Sequence, residues 1–186
     1  MDDREVALLD AAIEVLAGGG ARQLTHRAVD ARACLPAGST SNRFRSREAL
    51  LAGVLRRLLQ HESALWLRVS ADTAIGDPQA LADVLGRAVD ELSGPGRRLT
   101  RARFAVVTQP ELPASLVAEL RSARSVIQSW LTPLLTDLGS RLPSADAVAV
   151  LALLDGLLLT RLSTPDEPAD ARRTVQALLE GLLLPA

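Results

Sequence analysis

The chain has 186 residues, of which 48% are apolar and only 2% aromatic, and its formal net charge is −1. These values suit one compact domain, or a small domain fused to a larger one, on an aliphatic core, and they exclude a uniformly basic polyanion binder. One Cys excludes an internal disulfide, and two His with that single Cys offer no metal-ligand spacing. The pattern that follows is helical throughout. Val6, Leu9, Ile13 and Leu16 fall on one face of a first helix, which the glycines at 18, 19 and 20 are expected to stop. Thr25 is placed to cap a second helix, with Leu24 and Val29 as a hydrophobic staple, and this helix ends near Ala33. A turn through Cys34, Leu35 and Pro36 leads to a third helix over about Ala37 to Phe44. Ser46 caps a long fourth helix to about Ala71. Pro and Gly then cut out helices at about 78–93, 98–108, 114–140 (with a kink expected at Pro133), 144–163 with Ser144 as cap, and on to Leu183. No alternating strand pattern and no internal repeat occurs. The expected fold class is all-α with about nine helices: a helix-turn-helix domain over residues 1–46 and a larger helical domain over 47–186.

Charge is unevenly spread. Residues 22–47 hold six Arg (22, 27, 32, 43, 45, 47) and one acid, Asp30, a local +5. Residues 58–186 hold twelve Arg and fifteen acids, a net −3. An anion-binding patch near the N-terminus of an otherwise acidic protein follows. Two short helices joined by a tight turn, with a first helix packed across them, make a helix-turn-helix, whose second member lies in the DNA major groove. On a 3.6-residue period Pro36, Thr40 and Phe44 face inward, while Ala37, Gly38, Ser41, Asn42 and Arg45 face out. Small side chains let such a helix approach base edges. Asn42 can pair bidentately with adenine, and Ser41 can serve donor or acceptor edges. Arg43, Arg45 and Arg47 flank the helix where phosphates run, and Thr25 with the first N–H groups of the second helix offers another phosphate seat. His26, in that first turn, is a candidate phosphate contact. The opposing reading of the same residues is a polar loop beside a solvated Arg-rich face.

Residues 5–58 resemble the N-terminal domain of the TetR family of transcriptional regulators. The resemblance rests on "ALLDAAIEVLAGGGARQLTHRAVDARA", the turn "CLPAGSTSNRF" and "RSREALLAGVL". It implies a homodimeric DNA-binding protein, usually a repressor, that is released by a small ligand. It implies that Thr25 and Arg27 touch DNA backbone or a base, that Ala37, Gly38, Ser39, Ser41 and Asn42 occupy recognition-helix positions, and that Arg47 grips a phosphate. The chain departs from the family in having no aromatic residue at Ser41 or Arg43, where Tyr is common. It also has Cys34 where the turn commonly has Gly.

The helix around Ala147–Leu159 is apolar nearly all round and must be covered on both sides. With the stripe Val175, Leu178, Leu179 and Leu182 on the last helix, it is expected to form a four-helix dimer interface that includes Leu151 and Leu158. Candidate ligand contacts are Trp66, Phe104 and Trp130, the large aromatics of an aromatic-poor region, and Asp155, a carboxylate inside an apolar run that needs a partner such as Arg103, Arg161 or a cationic ligand. The expected partners are double-stranded DNA, a small-molecule effector and a second copy of the chain, with no cofactor and no metal. The N-terminus lacks a secretory signal, and no apolar run reaches the roughly 20 residues a membrane span needs, so a cytoplasmic location is expected. An enzyme is a poor reading, because the chain has no Lys, no Tyr and few other candidate acids, bases or nucleophiles. The other alternative is a helical ligand-binding or interaction protein without specific DNA binding.

Overall fold

The computed structural model describes residues 2–71, 75–166 and 169–183. Among these residues there are nine helices and no strand: α1 (Asp3–Gln23), α2 (His26–Arg32), α3 (Ser39–Arg43), α4 (Arg47–Ala71), α5 (Pro78–Ser93), α6 (Arg97–Val107), α7 (Ala114–Asp137), α8 (Pro143–Ser163) and α9 (Ala171–Leu183). The all-α class expected from the sequence is the observed one.

Several boundaries follow from side chains that accept the unpaired N–H groups of a helix start. Thr25 Oγ1 accepts from Ala28 N at 3.1 Å, Ser46 Oγ from Ala49 N at 3.1 Å, and Asp77 Oδ1 from Ala80 N at 2.7 Å. Other boundaries differ from the sequence reading, among them the end of α7, at Asp137 rather than about 140. In α1 only Gly20 leaves helical geometry (φ 69°, ψ −176°), and a further turn resumes to Gln23. α8 starts at Pro143 with Leu142 as its cap residue and no side-chain cap, so Ser144 lies inside the helix; proline's fixed φ suits that first position. α3 begins two residues late. Gly38 takes φ 92° as its cap residue, which leaves Ala37 and Gly38 in the turn.

By internal contacts the chain divides into two compact units, Met1–Ser63 with Gly96–Leu120, and Ala64–Pro95 with Arg121–Ala186. The unit carrying α2 and α3 is therefore larger than the first 46 residues. In it α1 packs against α6 and α2. Its core is aliphatic, with Leu9, Leu16, Leu24, Val29, Leu50 and Leu55 at 1% exposure or less and Phe44 at its edge. Each such side chain contributes roughly 1.5–3 kcal/mol of burial.

In the second unit α5 packs on both α8 and α9. A Cβ on Gly86 would stand 3.0–3.2 Å from Arg172 atoms, so α5 and α9 meet closely there. This packing changes which residues remain available to a second chain. Leu151, Leu158, Val175 and Leu179, expected at a dimer interface, are buried within the single chain, and Leu178 and Leu182 are half-buried. The outward face of α8 carries Val148, Ala152, Gly156 and Leu159 instead, with Val148 47% and Leu159 51% exposed. An all-apolar helix does not announce which of its sides faces its own chain.

Candidate nucleic-acid interface

α3 is only five residues long, too short to be stable alone. Three anchors hold it. Thr40 and Phe44, one turn apart, are 0% and 5% exposed and point into the first unit's core, as the periodicity predicts, whereas Pro36, expected on the same face, lies in the turn before α3 and is exposed. The Phe44 ring lies so close to α4 that a Cβ on Gly53 would come within 2.8 Å of it. The third anchor is Asp30, 4% exposed near the end of α2. Its Oδ2 accepts from Gly38 N at 2.8 Å, and its Oδ1 accepts from Thr40 N at 2.7 Å and from the Thr40 hydroxyl at 2.5 Å. Burial pushes the Asp30 carboxyl up, but the hydroxyl and N–H of Thr40, the N–H of Gly38 and the charge of His26 outweigh it, and the group lies below the usual carboxylate range. Asp30 stays ionised and caps the start of α3. The signal for it was in the sequence: it is the one acid among the six Arg of residues 22–47.

With α3 fixed in this way, Ala37, Ser41, Asn42, Arg43 and Arg45 are exposed, as are Thr25 and Arg27 at the start of α2. Ser41 Oγ donates to Gly38 O at 3.1 Å and keeps its lone pairs free for an incoming donor. Among the described residues no ion pair engages Arg27 or Arg45. Gly38 is half-buried in the turn.

Three of the expected contacts are placed differently. Ser39 is 7% exposed, donates to Pro36 O at 2.7 Å and accepts from Arg4 at 3.1 Å, so it faces the protein. His26 is half-buried, and its Nε2 is buried without a hydrogen-bond partner among the described residues. Arg47 is exposed, but its guanidinium donates to Ala21 O at 2.6 Å and to Gln109 Oε1 at 3.4 Å, tying the end of α1 to the loop after α6.

The Arg cluster also has acidic neighbours that a local charge count omits. Arg43 is paired with Glu5 and, at 3.2 Å, with Asp2. Arg32 is paired with Glu14 at 3.1 Å, and Glu14 also takes Arg98 at 2.6 Å. Glu5 and Glu14 lie on α1 and Asp2 caps its start, and Glu5 is 38 residues from Arg43 in sequence.

In the second unit Trp66 and Trp130 are half-buried neighbours, their ring centroids 6.0 Å apart and tilted by 45°. Asp155 pairs with Arg124 at 2.8 Å. Arg103 pairs with Glu62 at 3.2 Å, and Arg161 with Asp90 at 2.5 Å. Phe104 belongs to the first unit, where Arg103 stands 5.4 Å from its ring centroid. Among the described residues no helix is long and apolar enough to cross a membrane, and no cluster of three or more His, Cys, Asp or Glu could hold a metal ion.

No curated protein matches the sequence significantly. Solved structures do. A transcriptional regulator from Rhodococcus sp. Rha1 superposes with a TM-score of 0.83 over 96% of this chain and 95% of its own, at 23% identity, a likeness of fold alone. A member of the TetR family from Streptomyces coelicolor A3 matches at 28% identity and a TM-score of 0.72, over 99% of this chain and all of its own. The multidrug binding protein EbrR, solved in complex with ethidium, matches at 28% identity and a TM-score of 0.67, covering 95% of this chain and 98% of its own. The family described as "Tetracyclin repressor-like, C-terminal domain" matches residues 76–183, more than half of the chain. With the helix-turn-helix already in place, this match identifies the chain as a member of the TetR family of transcriptional regulators.

Proposed function

We propose that the protein is a ligand-responsive transcriptional repressor that binds a palindromic DNA operator as a homodimer. The observation that carries this reading is the exposed polar face of α3, held in place by a buried carboxylate. A helix of five residues with two inward anchors and an N-terminal clamp has its backbone held in place before DNA arrives. Preorganisation of that kind lowers the cost of binding. Residues 1–46 carry the reading surface in this proposal, and residues 47–186 carry ligand binding and dimerisation. Asn42 and Ser41 read base edges. Ala37 and Gly38 permit close approach, and Thr25, Arg27, Arg43 and Arg45 meet phosphates.

Dimerisation uses the outward face of α8, where Val148, Ala152 and Leu159 are exposed, with Leu178 and Leu182 of α9 beside it. Two copies then present two α3 helices to half-sites about one helical turn apart. The effector is an aromatic compound bound at Trp66 and Trp130. Support comes from their neighbouring rings and from the ethidium complex of the EbrR relative. Asp155 already has the Arg124 guanidinium as counter-charge, so it needs no cationic ligand. An effector that favours a different spacing of the two heads lowers operator affinity through that differential binding.

The test is a DNA titration at several salt concentrations with Asn42→Ala and Arg45→Ala alongside. The reading expects a sequence-dependent loss for Asn42→Ala and a uniform loss for Arg45→Ala. Equal, weak binding of all three proteins to every duplex would leave the alternative, a helical ligand-binding protein without specific DNA binding.

A further inference from the structure

The contact between the first turn of α1 and Arg43 has no part in the reading above, although it engages one of the phosphate-facing arginines. Arg43 donates from both Nε and Nη2 to Glu5 Oε2, the Nε bond at 3.2 Å, and Nη2 also lies 3.2 Å from Asp2 Oδ2. The Glu5 side chain is only 14% exposed and so has little freedom to move away, whereas those of Arg43 and Asp2 are 47% and 60% exposed. One residue along, Arg4 donates to Ser39 Oγ at 3.1 Å, so the same turn of α1 grips both ends of α3. Between them runs an open groove of about 200 Å³, lined by Asp2, Glu5, Asn42 and Arg43 among others. The Glu5 hydrogen bond, and then the Asp2 and Glu5 charges, raise Arg43 above its ordinary value. The Glu5 N–H holds the Asp2 carboxyl below the usual range, with a further contribution from the Arg43 charge.

We propose that Asp2 and Glu5 act as an internal phosphate surrogate. They occupy Arg43 in the free protein, and a DNA phosphate must displace them, so the pair sets the affinity of the head for every duplex regardless of sequence. This rests on the DNA-binding reading of α3. A carboxylate presents to a guanidinium the same paired oxygen acceptors as a phosphate, and a guanidinium already neutralised releases fewer counterions when DNA binds. The effect is uniform across sequences because phosphates carry no base information.

The test compares wild type, Asp2→Asn/Glu5→Gln, Arg43→Ala and the combined variant on a random-sequence duplex by fluorescence anisotropy over a salt series. Asn keeps the cap that Asp2 gives to Glu5 N, and Gln keeps the size of Glu5, so α1 is preserved. Asp2→Asn/Glu5→Gln should bind roughly two- to fivefold more tightly, the range of a released surface ion pair. Its log–log salt slope should steepen by about 0.9, one additional phosphate. In the Arg43→Ala background the same two substitutions should leave the slope unchanged and raise affinity less. An equal gain in both backgrounds would mean general repulsion and overturn the proposal. Weaker binding would do so as well, because the acids would then be positioning Arg43 for DNA. DNA binding that is identical in all four proteins would overturn this proposal alone. No binding by any of them at low salt would overturn the DNA-binding reading together with it.

Discussion

Replacing Asp30 with Asn tests the clamp on α3 with the smallest change of shape. The carboxylate takes three hydrogen bonds on two oxygens, all at 2.5–2.8 Å, in a site where Thr40 is fully buried. An amide has one oxygen. If that oxygen keeps Thr40, the new NH2 group faces the N–H of Gly38, donor against donor. One stranded N–H costs about 1–3 kcal/mol, and the two surviving bonds lose their charge assistance. Relief from burying a charge offsets part of this, leaving a net loss of about 2 kcal/mol. With a urea m-value of about 2 kcal/mol/M, the midpoint should fall by roughly 1 M. The pH dependence has a definite sign. The folded carboxyl lies below its unfolded value, so its contribution is complete above the unfolded pKa of about 3.9 and disappears as pH falls through the lower, folded value. The gap between wild type and Asp30→Asn should therefore be full at neutral pH and close in strong acid. Equal midpoints at neutral pH, or a gap that persists undiminished into acid, would refute the clamp.

Other substitutions test separate parts of the account. Cys34 holds φ 54°, a left-handed conformation that costs a non-glycine residue about 1–2 kcal/mol, so Cys34→Gly should raise the midpoint by about 1 kcal/mol of stability in the same urea titration. Gly86→Ala would press a methyl group to 3.0–3.2 Å from Arg172 and force α5 away from α9, with an expected loss of about 1–3 kcal/mol in thermal or chemical unfolding. Leu159→Glu puts a charge on an exposed apolar position of α8; sedimentation should show dimer converting to monomer with helical content unchanged. Ethidium should quench the fluorescence of Trp66 and Trp130, and Trp130→Ala should weaken its apparent binding severalfold.

What was legible in the sequence was local. Thr25, Ser46 and Asp77 announce helix starts because a capping oxygen and the N–H it serves lie three residues apart. Thr40 and Phe44 announce an inward face because they lie one turn apart. What was missed depends on distant segments or on a single backbone angle. Ser39 was placed among the recognition-helix positions by the resemblance alone, and in the folded chain its hydroxyl is buried between Pro36 O and Arg4. The +5 of residues 22–47 is offset by Glu5 and Glu14 on α1 and by Asp2 at its cap, acids that only the packing brings to Arg43 and Arg32. Likewise Leu151, Leu158, Val175 and Leu179 were apolar enough for an interface, but they are spent on packing within the chain.

The central claim, that α3 reads DNA, is tested most directly by selecting bound duplexes from a random-sequence library with wild type and with Asn42→Ala. The account predicts that wild type enriches an inverted repeat with half-sites about one helical turn apart, and that Asn42→Ala loses preference at one base pair in each half-site, worth about 1–3 kcal/mol. No enrichment by wild type, or the same enriched sequence with both proteins, would contradict it.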